Sequence, residues 1–276
     1  MLRLIQDYDV TTSHMVPTQF HRLLALSEDT RTQYDVSSLR HMIHAAAPCP
    51  VDVKHQMIAW WGDAIDEYYA ASEGGGTLVT AQEWLTKPGT VGRAWPISEI
   101  AIFDDEGNKV EEPNVIGTVY MSMQTGDFEY HKDQQKTESN RIGKYFTVGD
   151  VGVIDEDGYL FLRDRKIDMI ISGGANIYPA EIENVLLGFP KVGDVAVFGI
   201  PNDDWGEEIK AVIEPAEGVE PTDGLAAEIL EYASTRLAKF KMPKSIDFTD
   251  SMPRDPNGKL YKRKLRDPYW EGREKI

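Results

Sequence analysis

Residues 69–76, with the sequence YAASEGGG, combine a hydroxyl group, a carboxylate and three consecutive glycines. The residues just before them, 64–69, are typical of a strand, so Ser72, Glu73 and the glycines follow a predicted strand end. Backbone amides of glycine can approach an anion closely, and Mg²⁺ prefers one carboxylate together with phosphate oxygens. The segment therefore favours a corner that holds phosphate and Mg²⁺. A flexible glycine loop without a ligand is the alternative.

Two charged residues further along the chain suit a nucleoside. Asp150 follows Gly149 at the end of a β-like run, and its carboxylate could accept hydrogen bonds from both hydroxyls of a ribose. Arg165 could bind the same sugar or a phosphate. An ordinary turn aspartate and a surface ion pair, the latter worth less than about 1 kcal/mol, are the alternatives.

Lys259 follows a tight turn in the sequence PRDPNGKL at residues 253–260. A reaction that joins a carboxylate to a phosphate brings two anions together, and an ammonium group between them offsets their repulsion. At about 4 Å and an effective dielectric of about 20, one such contact is worth about 4 kcal/mol, or roughly a thousandfold in rate. A turn lysine in water is the alternative. The sequence has no Gly-x-x-x-x-Gly-Lys-Ser/Thr segment, which excludes a P-loop NTPase.

The elements that must position these residues fall into three zones. Residues 1–75 mix helical and strand patterns, including a helix predicted at 51–61, and residues 89–163 contain short β runs separated by turn signals. From about residue 166 the pattern becomes a compact α+β unit, with a helix predicted at 223–238. The charged strip RDRKID at 163–168 has no glycine or proline and separates the last two zones, so we predict a domain boundary there.

The composition is that of a globular protein of 276 residues, 41% hydrophobic and 27% charged, which is long enough to bury one or two cores. Its formal net charge of −17 argues against a nucleic-acid-binding protein, which would present a basic face. The stretch from Arg236 to Arg266 is an exception, with ten Lys and Arg against three Asp. This stretch could receive a phosphate ligand, or it could be a solvated basic tail.

The sequence predicts a cytoplasmic protein. Cys49 is the only cysteine, which fits a reducing compartment. The first nine residues contain acids where a signal peptide would have its apolar core. No run approaches the ~18 apolar residues of a membrane span, so we expect no transmembrane segment.

Taken together, seven motifs in this order resemble the AMP-forming acyl-CoA synthetases, the superfamily shared with luciferase and peptide-synthetase adenylation domains. The resemblance extends from about Val16 to the end of the chain. The segments at 170–179 and 255–262 look most like fatty-acyl and steroid- or bile-acid-type CoA ligases. The motifs are Ala46-Ala47-Pro48 and residues 69–73, 89–92, 149–150, 158–165, 173–183 and 258–259.

The resemblance implies an α/β fold built from the remnant of a large adenylation domain and a small mobile α+β domain. The large domain would cover residues 1–164, with an α/β portion at 1–88 and a small antiparallel β-barrel portion at 89–164. A hinge at 165–168, around Lys166 and Ile167, would connect it to the C-terminal lid domain at 169–276. Ile167 stands where the family usually has a polar residue, so the alternation of the domains could differ in rate.

The resemblance also implies a nucleotide site that uses ATP and Mg²⁺. Glu73 would hold the metal ion and Ser72 would contact the phosphates, while Asp150 and Arg165 would bind the ribose. Lys259 would bridge the acyl carboxylate and the α-phosphate during adenylation. The remaining nucleotide-binding positions are Ala46, Ala47 and Pro48, which would lie beside adenine, and Tyr69.

For the other two substrates, the resemblance implies CoA and a carboxylic acid such as a fatty acid or a steroid- or bile-acid-like acid. Gly173 and Gly174 would face the pantetheine arm of CoA after the small domain rotates. His14 and Met15 would line part of the acid pocket, although simple core packing explains them equally well.

The reaction implied is acid plus ATP and CoA giving acyl-CoA, AMP and pyrophosphate through an acyl-adenylate. The family's Ser/Thr/Gly-rich phosphate loop is not in this sequence, so we expect the C-terminal half of such an enzyme, inactive alone and in need of a complementary N-terminal half. The alternative is a non-catalytic module, derived from such an enzyme, that binds nucleotide or CoA or acts as a scaffold. No nucleic-acid partner is expected.

Overall fold

The structure is a computed structural model that describes residues 1–124, 128–255 and 258–272. The chain divides into two compact units, Met1–Arg163 and Asp164–Ile276. In the described part of the chain, every helix is too short or too polar to span a bilayer. The α/β fold class predicted from the sequence is confirmed.

The first unit begins with an α/β layer. Its strands are β1 (Thr12–Met15), β2 (His41–His44), β3 (Ile65–Ala70), β4 (Gly76–Val79) and β5 (Arg93–Ala94). Its helices are α1 (Leu2–Asp7), α2 (Pro17–Leu24), α3 (Glu28–Thr32), α4 (Val51–Trp61) and α5 (Ala81–Thr86). The strands pair in chain order, with the first three parallel and the last two pairings antiparallel.

Hydrophobic burial holds the helices of this layer on the sheet. The apolar side chains of the helices and strands form one core, in which Phe20, Met42, Met57 and Ile65 are fully buried. The helix predicted at 51–61 is present with those bounds. Because parallel strands end at the same edge of a sheet, the segments that follow β2 and β3 leave the layer side by side.

A second, antiparallel sheet completes the first unit. Its strands are β6 (Ser98–Phe103), β7 (Lys109–Val110), β8 (Gly117–Met123), β9 (Arg141–Ile142), β10 (Tyr145–Phe146), β11 (Asp150–Ile154) and β12 (Leu160–Arg165), and α6 (Gln134–Ser139) precedes β9. β8 is central, because it pairs with β6 on one side and with β10 and β11 on the other. Residues 104–108 (DDEGN), one of the turn signals between the short β runs predicted at 89–163, close the hairpin between β6 and β7.

The second unit is an α+β domain with its own core. Its strands are β13 (Ile170–Ser172), β14 (Ala175–Ile177), β15 (Val192–Asn202), β16 (Gly206–Pro215) and β17 (Ser245–Phe248). Its helices are α7 (Pro179–Leu187), α8 (Asp223–Ser234) and α9 (Lys262–Arg266). The strand order is β14-β13-β16-β15, with β17 parallel to β16. The apolar faces of α7 and α8 contribute Ile182, Leu186 and Ile229 to this core.

One helix boundary differs from the sequence prediction. The helix predicted at 223–238 ends at Ser234. The hydroxyls of Ser234 and Thr235 donate hydrogen bonds to the carbonyls of Glu231 and Tyr232, at 2.7 and 3.1 Å. Such side-chain bonds compete with the helical backbone pattern, so the periodicity of the apolar residues overestimates the helix length.

A buried ion pair lies between α4 and β3. Lys54 is fully buried, and its Nζ lies 2.5 Å from Oε2 of Glu67. Burial raises the pKa of the Glu67 carboxyl, and the Lys54 ammonium opposes that rise. His44 stands opposite Glu67 in the parallel register of β2 and β3, with its Nε2 3.6 Å from the same oxygen. Removal of one partner from a buried pair costs about 3–5 kcal/mol, because the other charge stays buried.

His44 should make the stability of the first unit depend on pH. Burial, followed by the Lys54 charge, holds the pKa of His44 well below its ordinary value of 6.5. As the pH falls below that value, the unfolded chain binds a proton at this position that the folded chain does not. We therefore expect the free energy of unfolding to fall by up to about 1.4 kcal/mol per pH unit below about pH 6.5.

Urea unfolding followed by tryptophan fluorescence, over a pH series, checks this expectation. His44→Gln should reduce the slope, since glutamine does not titrate, and the exposed His131→Gln should keep it. If His44→Gln retained the full pH dependence, the assignment would be wrong.

Candidate functional site

Two of the predicted site residues are hydrogen bonded to each other across the two sheets of the first unit. Tyr69, near the end of β3, donates its hydroxyl to Oδ2 of Asp150 at 2.6 Å. Asp150 is buried and begins β11. The turn before it is held by Thr147, whose hydroxyl donates to the carbonyl of Val119 at 2.8 Å and accepts from the amide of Gly149 at 3.0 Å. A buried carboxylate is therefore fixed beside the strand that leads into the glycine segment.

The glycine segment is packed against the second sheet. A Cβ atom at Gly75 would lie 2.9 Å from Cβ of Met121, and one at Gly76 would lie 2.5 Å from the carbonyl oxygen of Tyr69. Gly75 also has a φ of +74°, a backbone conformation that residues with a side chain rarely adopt. Close approach to β8 and to β3 therefore requires glycine here. This packing disfavours the alternative of a flexible loop.

Ser72 and Glu73 lie in this loop between β3 and β4, Ser72 exposed and Glu73 half-buried. The hydroxyl of Tyr130 donates a hydrogen bond of 2.6 Å to Oε1 of Glu73. Burial, followed by this hydrogen bond, raises the pKa of Tyr130 to about 12. Sequence reasoning missed Tyr130, which lies 57 residues away in the segment FEY at 128–130. No helical or strand periodicity in that segment singles it out.

The segment predicted to lie beside adenine follows β2 at the same edge of the parallel strands. Ala46 and Pro48 are exposed and Ala47 is half-buried. Ala46 has a φ of +73°, a conformation that costs a residue with a side chain about 1–3 kcal/mol and that clusters at binding sites. The edge therefore presents backbone and small side chains, which suits the approach of a flat ligand.

The two candidates for the acid pocket differ in their surroundings. Met15 ends β1 and is buried in the core of the first unit. His14 is exposed and lies beside Tyr68, with 3.5 Å between its Nε2 and the tyrosine hydroxyl. Core packing therefore accounts for Met15, whereas His14 keeps an accessible face.

In the second unit, an ion pair anchors the turn that carries Lys259. Arg254 binds Asp194 of β15 through two hydrogen bonds of 2.6 and 2.8 Å, and it also donates to the carbonyl of Gly258 at 2.6 Å. The amide of Lys259 donates to Oδ1 of Asp255 at 2.9 Å. The Lys259 side chain is exposed. Pro256 and Asn257, part of the same motif, lie outside the described residues.

The two predicted CoA-binding glycines form the turn between β13 and β14. Both have positive φ, +58° at Gly173 and +79° at Gly174. The amide of Gly173 donates to the carbonyl of Trp205 at 2.9 Å, and a Cβ atom at Gly173 would meet the indole ring at 2.4 Å. Trp205 is 61% exposed, although it is large and apolar. Sequence reasoning missed this residue, whose only signal was a tryptophan within the polar run DDWGE.

The predicted hinge residues form a turn in the second unit. The division between the units falls within β12, after Arg163, so Arg165, the last residue of that strand, belongs to the second unit. The amide of Asp168 donates to the carbonyl of Arg165 at 3.0 Å. Lys166 and Ile167 lie within this turn, and Ile167 is 68% exposed. Asp150, Ser72 and Glu73 belong to the first unit, whereas Arg165 and Lys259 belong to the second.

The donor set in the glycine loop fits Mg²⁺ better than a soft metal ion. Within the described ranges, no group of three or more His, Cys, Asp or Glu side chains could hold a metal ion. Glu73 keeps one carboxylate oxygen apart from the one that accepts from Tyr130. Mg²⁺ is commonly held by one or two carboxylates, water and the phosphates of a nucleotide, so a single glutamate meets its needs.

Comparisons with known proteins agree with this geometry. The family described as AMP-binding enzyme matches residues 1–126, and the family described as AMP-binding enzyme C-terminal domain matches residues 181–259. The chain is 38% identical over 239 residues to the long-chain-fatty-acid–CoA ligase FadD13 of Mycobacterium tuberculosis, an alignment that covers 86% of this chain and 46% of FadD13. It is 33% identical over 272 residues to the fatty acid–[acyl-carrier-protein] ligase ScoC of Streptomyces coeruleorubidus, covering 97% of this chain and 51% of ScoC.

A solved structure gives the same result. ATP-bound MatB from Rhodopseudomonas palustris matches with a TM-score of 0.84 at 32% identity, covering 98% of this chain and 53% of MatB. The chain therefore spans about half the length of the relatives it matches. The ordered motifs, the two family matches and the fold agree, and the chain belongs to the AMP-binding enzymes of the adenylate-forming superfamily.

Proposed function

We propose that this chain carries the ribose-binding and lysine-bearing parts of an AMP-forming carboxylic acid–CoA ligase. In the first step, the acid and ATP give an acyl-adenylate and pyrophosphate. In the second step, the thiol of CoA displaces AMP and gives the acyl-CoA. The observation that carries the proposal is the hydrogen bond between Tyr69 and Asp150, because it fixes a buried acceptor at the carboxyl edge of parallel strands, where nucleotides bind in α/β folds.

The residues of the first unit would hold the nucleotide. Asp150 accepts from the ribose hydroxyls, and its partner Tyr69 keeps the carboxylate in place. Ser72 contacts the phosphates, and Ala46–Pro48 lie against adenine. Glu73 holds Mg²⁺, which when bound would neutralise charge on the phosphates.

The second unit would supply cations and the CoA-binding face. Arg165 binds the ribose, and Lys259 lies between the acyl carboxylate and the α-phosphate in the first step. The Arg254–Asp194 pair supports this role, since it holds the turn while leaving the lysine side chain exposed. For the second step, rotation about residues 165–168 presents Gly173 and Gly174 to the pantetheine arm. Their turn has no space for a side chain at Gly173.

For the substrate, we propose a fatty acid or a steroid- or bile-acid-like acid. The names of FadD13 and ScoC support a fatty acid. They differ in the acceptor, and we propose CoA for this chain. A cytoplasmic location is consistent with its lone cysteine.

The phosphate loop of the family is not in this sequence, and electrostatic contributions of that kind amount to several kcal/mol. We therefore propose that this chain binds nucleotide alone and completes adenylation with a complementary N-terminal half. The second candidate is a non-catalytic module, derived from such an enzyme, that binds nucleotide or CoA or acts as a scaffold. ATP–pyrophosphate exchange, with and without the N-terminal half of a relative, separates the two.

Asp150→Asn should weaken AMP binding about tenfold to a hundredfold, because a hydrogen bond to a charged acceptor is worth about 1.5–3 kcal/mol. Isothermal titration of the chain with AMP and with 2′,3′-dideoxy-AMP gives the sharper measurement. The unmodified chain should prefer AMP, and the variant should lose that preference. Asp157→Asn, at an exposed hairpin position of the same sheet, is the matched control. A variant that still discriminated against the dideoxynucleotide would contradict the ribose assignment.

Lys259→Ala should separate the two half-reactions. We expect ATP–pyrophosphate exchange, measured with the N-terminal half present, to fall roughly a thousandfold, since one charge contact between the reacting anions is lost. Thiolysis of supplied acyl-AMP by CoA should be largely unchanged. Lys264→Ala, at an exposed position of α9, should alter neither rate. Equal loss in both half-reactions would refute the role assigned to Lys259.

A further inference from the structure

The hydrogen bond between Tyr130 and Glu73 connects two loop segments that are far apart in the sequence. Glu73 lies in the loop between β3 and β4, and Tyr130 lies in the segment between β8 and α6. The hydroxyl of Tyr130 is 2.6 Å from Oε1 of Glu73, which is a short, charge-assisted distance. The glycines beside Glu73 pack against β8, so the loop and the tyrosine approach each other from fixed positions.

Tyr130 is held from several sides before it reaches Glu73. Its amide donates to the hydroxyl of Thr137 at 2.9 Å, and that hydroxyl donates to the carbonyl of Asp133 at 3.0 Å. The ring packs edge-on against Phe128, with 5.2 Å between centroids. The ammonium of Lys136 lies 4.3 Å from the centroid of the tyrosine ring. These contacts restrict the conformations of the Tyr130 side chain and so position its hydroxyl.

The chemistry of this partner differs from that of a lysine or arginine. A tyrosine hydroxyl orients a carboxylate without cancelling its charge, so Glu73 keeps its negative charge for a cation. Since Oε1 accepts from the hydroxyl, Oε2 is the carboxylate oxygen that this hydrogen bond leaves for a metal ion. A single carboxylate oxygen suits Mg²⁺, which requires near-octahedral geometry and takes its other ligands from phosphate and water. Hydrogen bonds that orient a ligating carboxylate commonly set metal affinity.

We propose that Tyr130 is a positioning residue that fixes Glu73 as a one-oxygen ligand for the divalent cation of a bound nucleotide. The inference deepens the proposed function and rests on it, since that function makes Glu73 the metal ligand. It adds the segment 128–139 to the site, which no motif of the sequence indicates.

Binding of Mn²⁺ in the presence of ATP, followed by electron paramagnetic resonance, tests the proposal without requiring turnover. Tyr130→Phe should weaken Mn²⁺ binding about tenfold to a hundredfold, the usual effect of removing an orienting hydrogen bond. ATP affinity without a divalent cation should not change. Tyr145→Phe is the matched control, because Tyr145 makes a hydrogen bond of 2.8 Å to Glu99 in the same sheet, and it should bind Mn²⁺ like the unmodified chain.

The double variant Tyr130→Phe/Glu73→Gln distinguishes the failure of this inference from the failure of the proposed function. If Tyr130 acts through Glu73, the double variant should bind Mn²⁺ no more weakly than Glu73→Gln alone. Loss in Glu73→Gln with normal binding in Tyr130→Phe would overturn the inference and leave the proposed function intact. Absence of ATP-dependent Mn²⁺ binding in the unmodified chain would overturn both.

A second variant keeps the test valid if Tyr130→Phe lowers the melting temperature substantially. Thr137→Val removes the hydroxyl that accepts from the Tyr130 amide, so it should weaken Mn²⁺ binding to a smaller extent. Normal Mn²⁺ binding in Thr137→Val would count against the inference.

Discussion

The arrangement of the first unit depends on the approach of its two sheets to within hydrogen-bonding distance at Tyr69 and Asp150. The contact joins β3 of the α/β layer to β11 of the antiparallel sheet, 81 residues further along the chain. Close by, the glycine loop after β3 lies directly against β8, where a side chain on Gly75 would collide with Met121. The same close packing that requires glycine also brings Tyr130 to Glu73. The contacts that pack the two sheets together therefore also position the candidate site residues.

A buried charge cluster lies in the elements that carry this edge. Lys54 on α4 binds Glu67 on β3, and His44 on β2 stands beside them. Replacing such a pair with apolar residues is often neutral or stabilising, so its contribution to stability alone does not explain it. Its position is more informative. Glu67 lies two residues before Tyr69, and His44 lies two residues before Ala46, so the cluster ties together the two strands whose ends form the candidate nucleotide site.

The second unit follows a similar principle with different chemistry. Its two candidate functional segments are turns that are held by residues outside them. Arg254 and Asp194 hold the turn before Lys259, and Trp205 covers the backbone of Gly173. The Lys259 side chain is exposed beside its anchoring ion pair, and Trp205 is itself 61% exposed. Such an arrangement suits groups that must meet a substrate in a defined orientation. Rotation of this unit about residues 165–168 stays a prediction.

The sequence by itself determined the α/β class, the helix at 51–61 and the family, because these depend on local periodicity and on short motifs whose residue types carry their own chemistry. It also singled out Ser72, Glu73, Asp150 and Lys259, since hydroxyl, acidic and basic side chains beside glycines are visible without a fold, and the family resemblance added Tyr69. Only the tertiary structure decided that Tyr69 binds Asp150 and that Tyr130 binds Glu73, because these contacts join residues 81 and 57 positions apart. It also decided that α8 ends at Ser234, where side-chain hydrogen bonds outweigh apolar periodicity. Long-range contacts follow from how sheets pack, and no spacing along one chain encodes which side chains the packing will bring together.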